Sequence, residues 1–275
     1  MKKILIACVN YNTYDYTKKY LDSIANKYFI NVKDVCEIFV CVADNTAINF
    51  TDIDCNYSNI SCKSFPYHKN YGYMGGAVKI LEDLGETYVN TFDYVIISNV
   101  DIELDYAFFT ELLRVDSTGL GWIVPSVYRT QLEMSNENPF LLSRPSINKL
   151  NAYILMYTFP KLYDIYGKIH AEKQVVKINE NCKVERYIFA GMGSIFIFTK
   201  ELIHNNYPMT FPCFMYGEEI YYGELVRKAN LKTKFFPNIK VYDVGGVSTG
   251  SLGSKRKCSM NKDSLKIIKK YMLSD

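Results

Sequence analysis

The sequence is short of histidine, tryptophan and dense positive charge. It holds three histidines, His68, His170 and His204, and a single tryptophan. The histidines have no spacing suited to a metal or a catalytic triad, and no Cys-x-x-Cys pair accompanies them, which argues against zinc. His204 falls on a helical pattern and is expected to pack or face solvent. The net charge is only +3, and no Lys/Arg block lies in the body of the chain. That excludes a nucleic-acid binder held by phosphate neutralisation. No apolar run reaches the length of a membrane span. No Gly-rich fingerprint follows the first apolar run, and no Gly-Lys-Ser/Thr occurs, which removes dinucleotide and P-loop chemistry.

The chain has 275 residues, 48% of them hydrophobic, enough to bury the core of one large domain. Cys8 and Cys41 sit inside apolar runs and read as small core residues. This cysteine usage fits a reducing cytosol. The first residues pass directly into a strand pattern, so no secretory leader is expected and the location is read as cytoplasmic. Lysine and arginine concentrate only in the tail: Lys255, Arg256, Lys257, Lys262, Lys266, Lys269 and Lys270. They read as a solvated helix face or as a contact with anionic headgroups at the inner face of a membrane. Tyrosine is abundant, with 24 copies. Surfaces that handle sugars favour aromatics with an apolar face and a polar tip.

Short apolar runs without helical period predict buried strands at Lys3–Val9, Glu37–Val42, Tyr94–Ser98 and Gly193–Phe198. Helices are predicted between them. Asp15 is expected to cap one bearing Tyr16, Tyr20, Leu21 and Ile24. Gly75 and Gly76 open a second through Leu84, Asp105 caps a third through Leu113, and Thr199 caps another. Glu218-Glu219 open a helix to Ala229, which Asn230 closes in the left-handed conformation. Lys234-Phe-Phe and Lys240-Val-Tyr242 read as two short strands. Residues 245–260, rich in Gly, Ser and Lys, are expected to be mobile, and Asp263 to cap a terminal helix. Alternating strands and helices imply an α/β fold, a mainly parallel sheet flanked by helices. Residues 126–185 break the alternation and read as a helical or irregular insertion carrying the aromatic run Tyr153–Phe159.

Ligands of such sheets bind beyond the carboxyl ends of the strands. Three polar clusters fall there: Asn10–Asn12, Asp44–Asn45 and Asn99–Asp101. An amide oxygen and a carboxylate in Asn99-Val-Asp101 suit magnesium or manganese, hard cations that retain water and bind substrate phosphates. The same string also forms an Asx turn. Asp44-Asn45 can accept a hydrogen bond from a nucleobase imide, or close a capped turn. Asn70-Tyr-Gly72-Tyr-Met-Gly75-Gly76 leads into a helix and lets backbone N–H groups approach a sugar or phosphate. Glu218 and Glu219 begin a helix whose dipole favours their ionised form while each opposes the other. One of them can serve as general base toward a hydroxyl, or both are ordinary first-turn acids.

In chain order these elements resemble the family-2 glycosyltransferases of GT-A fold, with the rhamnosyltransferase-like enzymes of bacterial surface polysaccharides as the nearest branch. The resemblance covers about residues 3–114 and 186–250. Val9-Asn10-Tyr11-Asn12 resembles the family's nucleotide-binding start, and Asp44-Asn45 its element near the base. Asn70-x-Gly72 with Gly75-Gly76 resembles the Asn-x-Gly…Gly-Gly segment. Asn99-Val-Asp101 stands in place of the metal motif, and Gly191-x-Gly193-Ser resembles the glycine strand near the acceptor. Met215-Tyr216-Gly-Glu-Glu219 resembles the Tyr-Gly-Glu-Asp motif whose last acid is the base. Three departures stand out: Glu219 replaces the usual Asp, Tyr221 stands where a second acid often follows, and Asp243 holds the place of a metal-binding His.

The resemblance implies one GT-A domain over 1–275: a nucleotide-binding half (1–125), the insertion on the acceptor side (126–185), an acceptor and catalytic half (186–250), and a basic tail and helix (251–275). It implies an inverting transfer from a UDP-, dTDP- or GDP-linked sugar to a glycan or lipid-linked glycan, helped by Mn2+ or Mg2+. Glu219, with Glu218, is the expected base. Asp101, Asn99 and Asp243 are the expected metal ligands. Trp122, Gly191, Gly193 and Tyr216 are assigned to the acceptor side. A non-catalytic donor- or glycan-binding partner is an alternative, suggested by Tyr221 and Asp243. A sugar nucleotidyltransferase is another, but it calls for a Gly-rich basic loop where Asn10-Tyr11-Asn12 stands.

Overall fold

The structure, a computed structural model, describes residues 1–130, 135–164, 182–244 and 253–274. The chain begins with β1 (Lys2–Asn10), α1 (Tyr14–Asn31), β2 (Cys36–Asp44) and β3 (Ser61–Pro66). It continues through α2 (Tyr73–Leu84), α3 (Glu86–Val89), β4 (Tyr94–Asn99), β5 (Ile102–Leu104) and α4 (Phe108–Leu113). Next come β6 (Leu120–Arg129), β7 (Ser135–Asn136), α5 (Ile147–Thr158), β8 (Arg186–Ile188) and β9 (Ile195–Thr199). The chain ends with α6 (Lys200–Asn206), α7 (Glu218–Lys228), β10 (Lys232–Asp243) and α8 (Ser254–Leu273).

One mixed sheet runs in the order β3-β2-β1-β4-β9-β6-β10-β5, with β7 beside β6 and β8 beside β10. Strands β3, β2, β1 and β4 are mutually parallel. β9 runs antiparallel between β4 and β6, and β5 antiparallel to β10. Successive side chains of a strand point to opposite faces, so a strand covered on both sides must be apolar throughout. β1 shows this directly. Leu5, Ala7 and Val9 enter one core with Met74, Ala77 and Leu81 of α2, while Ile4, Ile6 and Cys8 enter the other with Tyr20, Leu21 and Ile24 of α1.

Several local expectations need correction. α1 begins at Tyr14, so Asp15 lies in its first turn, where it complements the dipole without capping. Asp105 accepts from the Ala107 N–H in a turn ahead of α4, which starts only at Phe108. Thr199 precedes α6 without a side-chain cap, because its hydroxyl donates to the Leu120 carbonyl. The two short strands expected near the end are one strand, β10, with a register shift between Phe236 and Lys240, where Pro237, Asn238 and Ile239 intervene. α8 starts at Ser254, leaving Asp263 in mid-helix, so residues 254–260 of the segment expected to be mobile are helical. Residues 245–252 of that segment lie outside the described residues.

β6 carries the sheet to Arg129, four residues into the predicted insertion. The aromatic run Tyr153–Phe159 lies mostly on α5, which packs against α8. Asn230 adopts the predicted left-handed conformation, φ 56°. No helix among the described residues is long and apolar enough to cross a membrane.

Candidate active site

Parallel register places the polar strand ends side by side. Asn10 stands opposite Asp44, and Val9 opposite Asn99. The Asn10 amide donates to Asp44 Oδ1 (2.8 Å) and to Thr46 Oγ1 (3.3 Å). Asn10 Oδ1 accepts from the Thr13 N–H and from the Thr13 and Thr17 hydroxyls, tying the end of β1 to the start of α1. Asp44 Oδ1 also accepts from the Thr46 N–H, and Oδ2 accepts from the Tyr14 hydroxyl at 2.9 Å. Asn10 and Asp44 are both buried, so they form the floor of this edge. Tyr11 and Asn12 are its exposed residues, and Asn12 has φ 56°. Val9 points into the core, with only its backbone at the edge.

The loop from Asn70 to Gly76 is joined to this floor. Asn70 Oδ1 accepts from the Gly72 N–H, an Asx turn. The Asn45 amide donates to the Gly72 carbonyl at 3.0 Å. Gly72 has φ 78°, and a Cβ there would lie 2.2 Å from the Phe214 carbonyl oxygen. The segment ahead of α7 therefore rests directly on Gly72. Gly76 faces the Asn45 amide and Val9, whereas Gly75 meets nothing closer than Tyr71 at 3.5 Å.

On the other side of β4, the Asn99 N–H donates to the Ser194 carbonyl. Ser194 follows Gly193, and a Cβ at Gly193 would stand 2.6 Å from Glu219 Oε1. The Glu219 carboxylate and the Asn99 backbone thus each contact one residue of this dipeptide. The Met192 N–H donates to Asn138 Oδ1, and the Asn138 amide to the Pro125 carbonyl, which pins this glycine loop to β6. Asp101 is buried just before β5, and its carbonyl accepts from the Val244 N–H. Asp243 ends β10 opposite Ile102, buried, with no hydrogen-bond partner for Oδ1 among the described residues.

Burial, then the charge of Glu219, pushes the Glu218 carboxyl above the usual glutamate range, although Glu218 Oε1 accepts from the Tyr216 N–H. Burial also raises Glu219, opposed by backbone N–H groups of Glu219 and Gly193. Both carboxyls hold a proton more tightly than an exposed glutamate, a property suited to accepting one from a substrate hydroxyl.

One acceptor-side assignment is corrected. Trp122 is fully buried, stacked on Phe196 with ring centroids 5.0 Å apart and packed against Phe198. It is a core residue, out of reach of an acceptor. Gly191 packs closely on β6, where a Cβ would lie 2.5 Å from Val124 Cγ1. Tyr216, in contrast, is part-exposed with φ 70°, and its hydroxyl has no partner among the described residues. Tyr221 is not a displaced acid. It is buried against Phe211, Tyr222 and Tyr271.

Sequence reasoning passed over Tyr14 and Thr46, and gave no role to Tyr73 and Ser194, which stand inside the strings it singled out. Tyr73 follows Gly72 and reaches the Ser194 carbonyl at 3.5 Å. Burial, with smaller contributions from Tyr20, Glu218 and Asp101, holds its hydroxyl well above the usual tyrosine range. An aromatic between glycines was the one available signal. A hollow of about 550 Å³ lined by Lys2, Asp93, Lys200 and His204 lies at the opposite edge of the sheet, apart from these clusters.

No protein-family model and no curated protein matches the sequence. Among solved structures, S. aureus TarS 1–349 in complex with UDP-GlcNAc superposes with a TM-score of 0.56 at 12% identity, over 99% of this chain and 72% of that one. This chain has the GT-A fold. A longer S. aureus TarS gives 0.52 at 11% identity, over 99% of this chain and 43% of its own. GalNAc-T7 with UDP, GalNAc and Mn2+ gives 0.50 at 11%, over 99% and 50%. The present GT-A chain thus spans half or less of these two longer proteins.

Proposed function

We propose that the chain is an inverting glycosyltransferase that moves a sugar from a nucleoside diphosphate to a hydroxyl of a glycan or lipid-linked glycan. The observation that carries this reading is that Glu219 and the start of the Asn99–Asp101 loop are held against adjacent residues, Gly193 and Ser194. A base and a diphosphate-holding carboxylate belong on opposite sides of the anomeric carbon. Fold neighbours bound to UDP-GlcNAc, or to UDP with Mn2+, support a nucleotide-sugar donor.

Asp101 and Asp243 fit a hard divalent cation, because the unpartnered, buried Oδ1 of Asp243 is a free carboxylate ligand on the strand paired beside Asp101. Among the described residues no three His, Cys, Asp or Glu side chains converge. Manganese and magnesium complete their shell with water and substrate phosphate. When bound, such an ion would neutralise charge on the departing diphosphate.

Tyr11, Asn12 and Asp44 Oδ2, the last shared with Tyr14, face the nucleoside, and the Asn70–Gly76 loop faces the sugar and phosphates. Glu219 takes the proton of the acceptor hydroxyl. That oxygen bonds to the anomeric carbon as the bond to the diphosphate breaks, inverting the centre. Tyr216 lines the acceptor side. Exposed Leu155 and Phe159 near α5, with exposed Lys255, Arg256, Lys266 and Lys270 on α8, support a site at the inner face of a membrane and a lipid-linked acceptor.

Calorimetry with UDP-, dTDP- and GDP-sugars, with and without Mn2+, tests the assignment. Asp101→Asn is expected to lose the manganese-dependent gain in donor affinity. Glu219→Gln is expected to keep donor binding and lose about 10²–10⁴-fold in transfer rate. An intact manganese response in the first variant, or normal transfer in the second, contradicts the corresponding role.

A further inference from the structure

Cys55 and Cys62 differ from the other cysteines of the chain. Cys8, Cys36, Cys41, Cys213 and Cys258 are buried, and burial pushes Cys36 and Cys41 up to about 12. Such thiols are inert at neutral pH. Cys55 and Cys62 are half-buried, and the Cys62 thiol donates to the Cys55 sulfur across 2.8 Å.

Their meeting is fixed from both flanks. Cys62 lies on β3 opposite Val40. Cys55 lies on the loop ahead of β3, and the residues around it are tied down. Asp54 Oδ1 accepts from the Asn56 backbone and side-chain N–H groups. The Tyr57 N–H donates to the Cys55 carbonyl, and the Tyr57 hydroxyl to Asp22. The Asn59 amide donates to the Ala25 carbonyl on α1. The hydrogen bond from Cys62 lowers the Cys55 thiol below its ordinary value, against burial and the nearby Asp54. The same hydrogen bond, with burial, raises Cys62. One sulfur is set to attack and its neighbour to follow.

We propose that Cys55 and Cys62 form a thiol–disulfide exchange site that reacts with low-molecular-weight disulfides, Cys55 attacking and Cys62 closing the bridge. The Cys55 thiolate bonds to one sulfur of a disulfide such as oxidised glutathione, whose S–S bond breaks and releases one thiol. The Cys62 sulfur then displaces the second thiol from Cys55. Two protein thiols lose two electrons and two protons, and the small disulfide gains both. The bridge ties the loop that leaves the donor-side floor at Thr46 back to β3.

The test incubates the reduced full-length chain with oxidised glutathione under native conditions, quenches with acid, alkylates and maps the peptides. The wild-type chain is expected to lose two alkylatable thiols and yield a Cys55–Cys62 bridge. Cys62→Ser is expected to trap a stable glutathione adduct on Cys55. Cys55→Ser should slow adduct formation at Cys62 by roughly tenfold or more, since the thiolate is the nucleophile. Half-buried Cys182 serves as the internal comparison. Absence of the 55–62 bridge in the wild-type chain, or preferential reaction at Cys62 or Cys182, overturns the proposal. The wild-type map decides alone if a variant fails to fold.

Discussion

Glu219 and Gly193 are in such close contact that a methyl group on the Gly193 Cα would lie 2.6 Å from the Glu219 Oε1. The glycine therefore sets where the carboxylate sits. Gly193→Ala should push Glu219 aside. Displacing a catalytic group by about 1 Å can cost about 10²-fold in rate. The expected result is a fall of that order in kcat for transfer, with donor affinity unchanged by calorimetry. Wild-type kcat in this variant would separate Glu219 from the chemistry.

Gly72 and Gly75 look alike in the sequence and differ in the fold. Gly72→Ala meets the Phe214 carbonyl at 2.2 Å and adopts a backbone conformation close to glycine-only, at φ 78° and ψ 176°. The expected cost is about 1–3 kcal/mol from the backbone alone, read by denaturant titration. Gly75→Ala sits inside α2 with 3.5 Å clearance and should be neutral or stabilising by up to about 1 kcal/mol. Equal losses in the two variants would refute the contact with Phe214.

Trp122→Ala should destabilise by about 3–5 kcal/mol, the range for emptying a large core site. Trp122→Phe keeps the stacking on Phe196 and removes an indole N–H that has no partner among the described residues. Its KM for acceptor should match wild type. A selective rise in acceptor KM would return Trp122 to the acceptor side.

The acid pair predicts a pH dependence. The Glu218 carboxyl is raised in the folded chain from 4.5 to about 8, chiefly by burial. A group raised on folding contributes fully below its unfolded value, and that contribution is lost as pH climbs through the folded value. Unfolding free energy should therefore fall between about pH 4.5 and 8, and Glu218→Gln should flatten this slope. For Glu219, also raised, the acid limb of the transfer rate should lie above the ordinary glutamate range. A pH-independent stability from denaturation at several pH values would exclude the buried acid pair.

Much of this architecture was readable because buried parallel strands leave continuous apolar runs, and Asn10, Asp44 and Asn99 terminate three of them. Contacts between distant segments were not readable. Nothing near Trp122 in the chain shows that Phe196 and Phe198 cover it. The start of α8 was missed because Asp263 is the stronger local signal, while Ser254 begins the helix behind Gly253 without a side-chain cap. Gly72 was noted for letting the backbone approach a ligand, and Gly193 for its place in a glycine strand near the acceptor. Their real constraints, Phe214 and Glu219, lie 142 and 26 residues further along by residue number.

The pairing of β5 with β10 has a consequence for how the protein matures on the ribosome. Asp101 emerges early in synthesis, but Asp243 can reach it only after the last strand docks beside Ile102. A nascent chain holding the first half alone would carry the Asn10–Asp44 floor without the buried Asp243 carboxylate. Late-forming, long-range pairings of this kind are slow to close. Competence for the proposed transfer should appear in one step once β10 has been made, not grow with chain length.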